Sequence, residues 1–191
     1  MLKDLLLPFI TIGLAELGDK TQLAVLLLSA KQKKHFQLFL GVLSAFIVVD
    51  GVAIFLGSRV INLVPINIVK IVSSIIFIIF GILILKESFS KNQENAGGSK
   101  IEKFADKNAF IAGFTLIFIS EWADKTQIAS ALFAVNYNPW LVLAGCISAL
   151  AALTLLAIYL GKFLSSKLNK HIISRIGGII FLLMGISFLI Y

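Results

Sequence analysis

Charge is what this sequence has least of. Only 14% of its 191 residues are Asp, Glu, Lys or Arg, against 59% hydrophobic. A soluble domain carries about a quarter charged and about half apolar residues. Composition therefore excludes an ordinary soluble domain and makes the chain a polytopic membrane protein. Cysteine is nearly missing too. Cys146 stands alone, which rules out an internal disulfide and a cysteine-built metal centre and leaves it as a packing residue. Three prolines and one long polar connection argue against a disordered or low-complexity chain. Histidine is limited to His35 and His171, both read as interfacial loop residues. The formal charge of +7 implies no nucleic-acid partner; in a membrane protein, where the positive charge sits reports topology.

What is there is long apolar runs. A spanning helix needs about 20 mostly apolar residues. Six segments qualify: 5–30, 36–57, 66–86, 109–134, 140–161 and 172–191. The first is read as retained rather than as a cleavable signal, because Glu16, Asp19 and Lys20 interrupt it. Residues 87–108 are polar, contain Ala96-Gly97-Gly98-Ser99, and have linker composition. The fold expected is all-α, with a three-helix unit at 1–86, a linker at 87–108 and a second three-helix unit at 109–191. Loop Lys and Arg number twelve on the linker side and three on the other, Lys3, Arg59 and Lys70. The positive-inside rule then puts the linker in the cytoplasm and both termini outside.

The scarce charges are not scattered. Glu16-Leu17-Gly18-Asp19-Lys20-Thr21-Gln22 lies inside the first apolar segment, and Glu121-Trp122-Ala123-Asp124-Lys125-Thr126-Gln127 repeats it 105 residues later (121 − 16). Gly41, Ser44, Ala45, Gly57 and Gly81 recur as Gly145, Ser148, Ala149, Gly161 and Gly185, at an offset of 104. The chain is an internal duplication. Three helices per half is an odd number, so the halves enter the membrane from opposite sides as inverted repeats. That is an architecture of secondary transporters, with the site near the midplane where the repeats meet.

A charge at the bilayer centre costs at least ~2.5–3.5 kcal/mol. Glu16, Asp19, Asp50, Glu121 and Asp124 all fall within spans, so packing alone does not justify them. Treated as one helix, with about 100° per residue, Glu16, Asp19 and Gln22 share a face. Lys20 is then the i, i+4 partner of Glu16, and Thr21 points away. Bringing the second copy in gives four carboxylates, with Gln22, Gln127 and Asp50 as further candidates for metal or proton. Four carboxylates and two lysines leave a formal −2, which one divalent ion neutralises. All-oxygen donors suit Ca²⁺, Mg²⁺ and Mn²⁺. Crowded carboxylates without a cation take up protons instead, and competition of that kind is the physical basis of exchange. Asp50, whose repeat counterpart is Thr154, stands open between proton carrier, ligand and partner of Lys20 or Lys125. Ser44, Ser148 and the pair Gly177-Gly178 read as helix packing, and Trp122 as filling the bundle.

With those residues set out, the chain resembles the Gdt-type cation/proton antiporters, which belong with the calcium/cation antiporters. The resemblance rests on Glu-x-Gly-Asp-Lys-Thr written twice and extends over essentially the whole chain. It implies exchange of Mn²⁺ or Ca²⁺ for protons, with Mn²⁺ export in bacterial members. It implies that Glu16, Asp19, Glu121 and Asp124 bind the cation, with Lys20, Thr21, Lys125 and Thr126 completing the motif. One departure is Ala123, where the first copy has Gly18; if Gly18 permits a local distortion, the second half lacks it. The expectation is a bacterial plasma-membrane antiporter without a prosthetic group. It would bind Mn²⁺ or Ca²⁺ transiently and act alone or as a homodimer. An intramembrane metal-dependent enzyme and a passive channel are the alternatives.

Overall fold

The computed structural model describes residues 1–17, 19–60, 65–89, 108–122, 124–167 and 170–190. In chain order the helices are α1 (Leu2–Glu16), α2 (Lys20–Lys31), α3 (His35–Val60), α4 (Ile66–Ser88), α5 (Ala109–Ser120), α6 (Lys125–Asn136), α7 (Pro139–Lys167) and α8 (Lys170–Ile190). No strand occurs among the described residues. Gly18, Ala123 and linker positions 90–107 lie outside them.

Segments 5–30 and 109–134 are not the continuous helices expected of them. The first breaks between Glu16 and Lys20, the second between Ser120 and Lys125. Leu17 ends α1 in extended backbone (φ −66°, ψ 105°). Asp124 precedes α6 in the same region (φ −76°, ψ 163°). The two breaks are bridged alike, by Asp19 N–H donating to the Glu16 carbonyl and Asp124 N–H to the Glu121 carbonyl. Each break falls on the polar motif, with an Asp just before the second half-helix, a favoured residue there, although Asp124 makes no side-chain capping bond. The single charged face derived from an unbroken helix does not exist.

Elsewhere local signals and elements agree. The Asn108 side chain accepts from Phe110 N–H at 2.9 Å to start α5. Asn138 accepts from Trp140 and Leu141 at the start of α7, with Pro139 at the first helical position, where it needs no N–H. By length and composition, 35–59, 67–86 and 139–159 are apolar enough to cross a membrane. The outer face of α4 exposes Ile68, Ile71, Ile75, Ile79 and Ile82. An apolar stripe of that length suits lipid rather than water. Trp122 lies on the outside as well, 48% exposed. It meets Phe118 edge-on at 5.5 Å, so it covers the surface and does not fill the bundle.

Because lipid is as apolar as leucine, packing of small residues, not hydrophobicity, holds such helices together. Helix α4 runs along α8, α3 along α5 and α6, and α1 along α7. Phe77 of α4 and Phe181 of α8, 104 apart in sequence, meet at 5.3 Å between ring centres. Gly41 of α3 seats against the Phe110 carbonyl of α5, and Gly145 of α7 against the Leu5 carbonyl of α1. These are the same contact made twice at the repeat offsets, and a Cβ at either glycine would collide with backbone. Gly41→Ala and Gly145→Ala should therefore each cost about 1–3 kcal/mol, read as lost thermal stability in detergent. Gly51, with nothing within 4 Å, is the control, and Gly51→Ala should be neutral or stabilising by about 0.5–1 kcal/mol.

Candidate cation site at the two helix breaks

The breaks bring both copies of the motif to one place. Glu16, Glu121 and Asp124 each present an oxygen, and the three oxygens lie within 4.8 Å of one another. Two oxygens on opposite sides of a Ca²⁺-sized ion stand about 4.6–5.2 Å apart, twice a bond of 2.3–2.6 Å. One ion can thus touch all three. Glu16 ends α1, Glu121 follows α5, and Asp124 precedes α6. Glu16 and Glu121 are buried, at 1% and 4% exposure. Among the described residues, neither Glu16 carboxylate oxygen has a hydrogen-bond partner. Buried polar atoms are nearly always satisfied, so two orphaned oxygens on one carboxylate mark a place for a ligand.

Asp19, the fourth acid expected here, is held apart. Lys125 Nζ donates to its Oδ2 at 2.8 Å, linking the first break to the start of α6. This pair crosses between the repeats, whereas the sequence suggested a Glu16–Lys20 pair along one helix. The Lys20 side chain lies outside the described residues. Thr21 does not point away: it lies beside Glu121. The Thr126 hydroxyl donates to Asp124 Oδ2 at 3.2 Å. Asp124 makes no side-chain capping bond to α6, and it stands at the N-terminal end of that helix, where the dipole favours negative charge.

Of the amides, Gln22 is buried, and neither of its side-chain atoms is hydrogen-bonded among the described residues. Gln127 reaches the Val49 carbonyl at 3.2 Å. Asp50 is buried on α3 and paired with Ser130 of α6 at 2.9 Å, not with Lys125. Ser44 bonds the Leu40 carbonyl of its own helix, and Ser148 is exposed. Gly177 and Gly178 pack against the backbone of Leu14 and Gly81. Cys146 is buried 3.6 Å from Ser130. Sequence reasoning missed Ser130 altogether. Its repeat counterpart is Val25, so the repeat comparison that found the motif passes over it. The departure from the repeat was itself the available signal.

Comparison with known proteins bears on this arrangement. A family model described as divalent cation/proton antiporter GDT1 matches residues 4–92 and 109–191, both breaks included. The chain is 28% identical to a GDT1-like protein of Schizosaccharomyces pombe, over 98% of this chain and 82% of that protein. It is 28% identical to GDT1-like protein 5 of Oryza sativa subsp. japonica, over 91% and 88%. A GDT1-like protein of Synechocystis is 26% identical, over 92% and 91%. No solved structure matches significantly.

Proposed function

This chain belongs to the divalent cation/proton antiporter GDT1 family, and from that premise we propose that it exports Mn²⁺ from the cytoplasm in exchange for protons, with Ca²⁺ as a second cargo. The observation that carries the reading is the junction of Glu16, Glu121 and Asp124 within 4.8 Å. Its donors are carboxylate oxygens, which suit Mn²⁺ and Ca²⁺. With Asp19 neutralised by Lys125, these three carboxylates are the charge a divalent cation meets, and in its absence protons take its place. Metal and protons then alternate on the same oxygens.

The architecture proposed is six spans in two inverted units, 1–86 and 109–191. In the first span of each unit, two half-helices meet end to end. The twice-made glycine contacts and the Phe77–Phe181 contact support a two-fold relation between the units. Discontinuous helices are where transporters of this kind place their ions, because a helix break frees backbone and aims helix ends at the site. Lys and Arg placement supports a cytoplasmic linker and external termini, and the membrane proposed is the plasma membrane. The enzyme alternative falls with the family, whose members are transporters.

The test is flux in proteoliposomes with an imposed pH gradient. Mn²⁺ should move against its own gradient when protons run the other way, and Ca²⁺ likewise at lower apparent affinity. Flux indifferent to the pH gradient would reject antiport and favour the channel.

A further inference from the structure

Asp50 lies outside the three-carboxylate junction, is buried on α3, and has Ser130 as its only hydrogen-bond partner among the described residues. Around that serine the hydrogens can be counted. Ser130 Oγ lies 2.9 Å from Asp50 Oδ1, 2.9 Å from the Thr126 carbonyl oxygen and 3.6 Å from Cys146 Sγ. A serine hydroxyl owns one hydrogen. An ionised Asp50 and a carbonyl are both acceptors only, so one of the two 2.9 Å contacts would then hold no hydrogen. A proton on Asp50 fills both: the carboxyl donates to Ser130, and Ser130 donates to Thr126. The Cys146 thiol can donate to Ser130 as well.

The repeat shows that the scaffold does not need this group. The counterparts of Asp50, Ser130 and Cys146 are Thr154, Val25 and Val42, by the offsets of 104 and 105. Val25 and Val42 are fully buried, and Thr154 bonds the Leu150 carbonyl of its own helix at 2.7 Å. The repeat-related positions thus hold apolar and self-satisfied residues where this cluster has an acid, a hydroxyl and a thiol.

We propose that Asp50 is a separate proton-binding site of the exchange cycle, filled when the three-carboxylate junction is empty and emptied when a cation enters it. The inference rests on the antiport reading above and adds a second place for the proton. From the elements packed on α3, the groups facing Asp50 are Glu121 after α5, Asp124 before α6 and Cys146 on α7. Lys125, also on α6, is occupied by Asp19. Until protons fill the junction, the charge beside Asp50 is negative and holds the proton there. A divalent cation at Glu121 and Asp124 cancels most of that negative field and favours the carboxylate. Cation entry then expels a proton that never touched the cation's ligands. A contact path exists as well, from Asp50 to Ser130, on to Thr126, and from the Thr126 hydroxyl to Asp124.

The experiment counts protons released per Mn²⁺ bound, by titrating the purified full chain in weakly buffered detergent solution with a pH indicator. Asp50→Asn keeps the size of the side chain and a donor toward Ser130. It should still bind Mn²⁺ and release one proton fewer than the wild type. An unchanged proton count would overturn the proposal, and so would loss of Mn²⁺ binding in a folded variant, since Asp50 would then belong to the cation site. Should Asp50→Asn not survive purification, Ser130→Ala carries the test. The pH at which that proton is released should move, whereas an unmoved release curve would overturn the proposal. A wild type that binds Mn²⁺ without releasing any proton would overturn the antiport reading itself, and this inference with it.

Discussion

Glu16→Gln and Glu121→Gln should each reduce pH-driven Mn²⁺ transport by roughly 100-fold or more, because each removes a charged ligand from a three-carboxylate junction. The fold should survive both. Glu16 has two buried oxygens without hydrogen bonds among the described residues, so it contributes nothing to stability that a neutral amide would forfeit. In cation-free protein, Glu16→Gln should unfold at the same temperature as the wild type or higher, by up to about 1–2 kcal/mol of stability. Glu121→Gln keeps an oxygen beside Thr21 and should be close to neutral. Loss of function without loss of stability is the signature of a side chain retained for its ligand. If instead both variants unfold, or transport persists, the glutamates are structural and the site lies elsewhere. Transport in proteoliposomes and thermal unfolding in detergent, run on the same preparations, separate these outcomes.

Lys125→Met should have the opposite profile and lose about 3 kcal/mol of stability. Breaking a partly buried pair takes the Lys125 charge from Asp19, and removing one partner costs more than the net worth of the pair. Both side chains are 21% exposed, so screening by solvent keeps the loss at the low end of the range for buried pairs. Replacing both partners, as Asp19→Asn with Lys125→Met, should recover most of it. Unfolding of the wild type, both single variants and the double variant closes a cycle that isolates the pair. A double variant as unstable as Lys125→Met alone would show that Asp19 is not what Lys125 serves. The pair joins the first break to the start of α6. Its loss should therefore also loosen the junction and weaken Mn²⁺ binding in the single variant.

The location of the site was legible in the sequence, because acids are so rare in these spans that a doubled motif stands out. The geometry of the site was not. Hydropathy drops at both breaks, where Glu, Asp, Lys, Thr and Gln interrupt the apolar run, but such a dip reads equally as a charged site on one continuous helix, so nothing in periodicity marks a stop. The informative feature was Asp ahead of Lys-Thr-Gln, a helix-start signal that reads as a mere charge when the apolar run is assumed to be one helix. From that assumption came the Glu16–Lys20 pair, the shared face and the outward Thr21. In the structure the shared face is broken and Thr21 lies beside Glu121, while Lys125 pairs with Asp19 across the repeats and the Lys20 side chain lies outside the described residues. The matched glycines were readable as positions but not as contacts. That Gly41 meets Phe110 while Gly145 meets Leu5 depends on how the units interlock, and one strand of sequence carries no sign of it. Asp50 was visible as an acid without a twin. Its partner Ser130 became visible only in space.

One divalent cation is expected where the two helix breaks meet. Anomalous diffraction from crystals grown with Mn²⁺ tests it most directly. A single Mn²⁺ peak per chain is expected, in contact with carboxylate oxygens of Glu16, Glu121 and Asp124 and with Asp19 still bound to Lys125. A peak anywhere else, or no peak at Mn²⁺ concentrations that saturate transport, would contradict it.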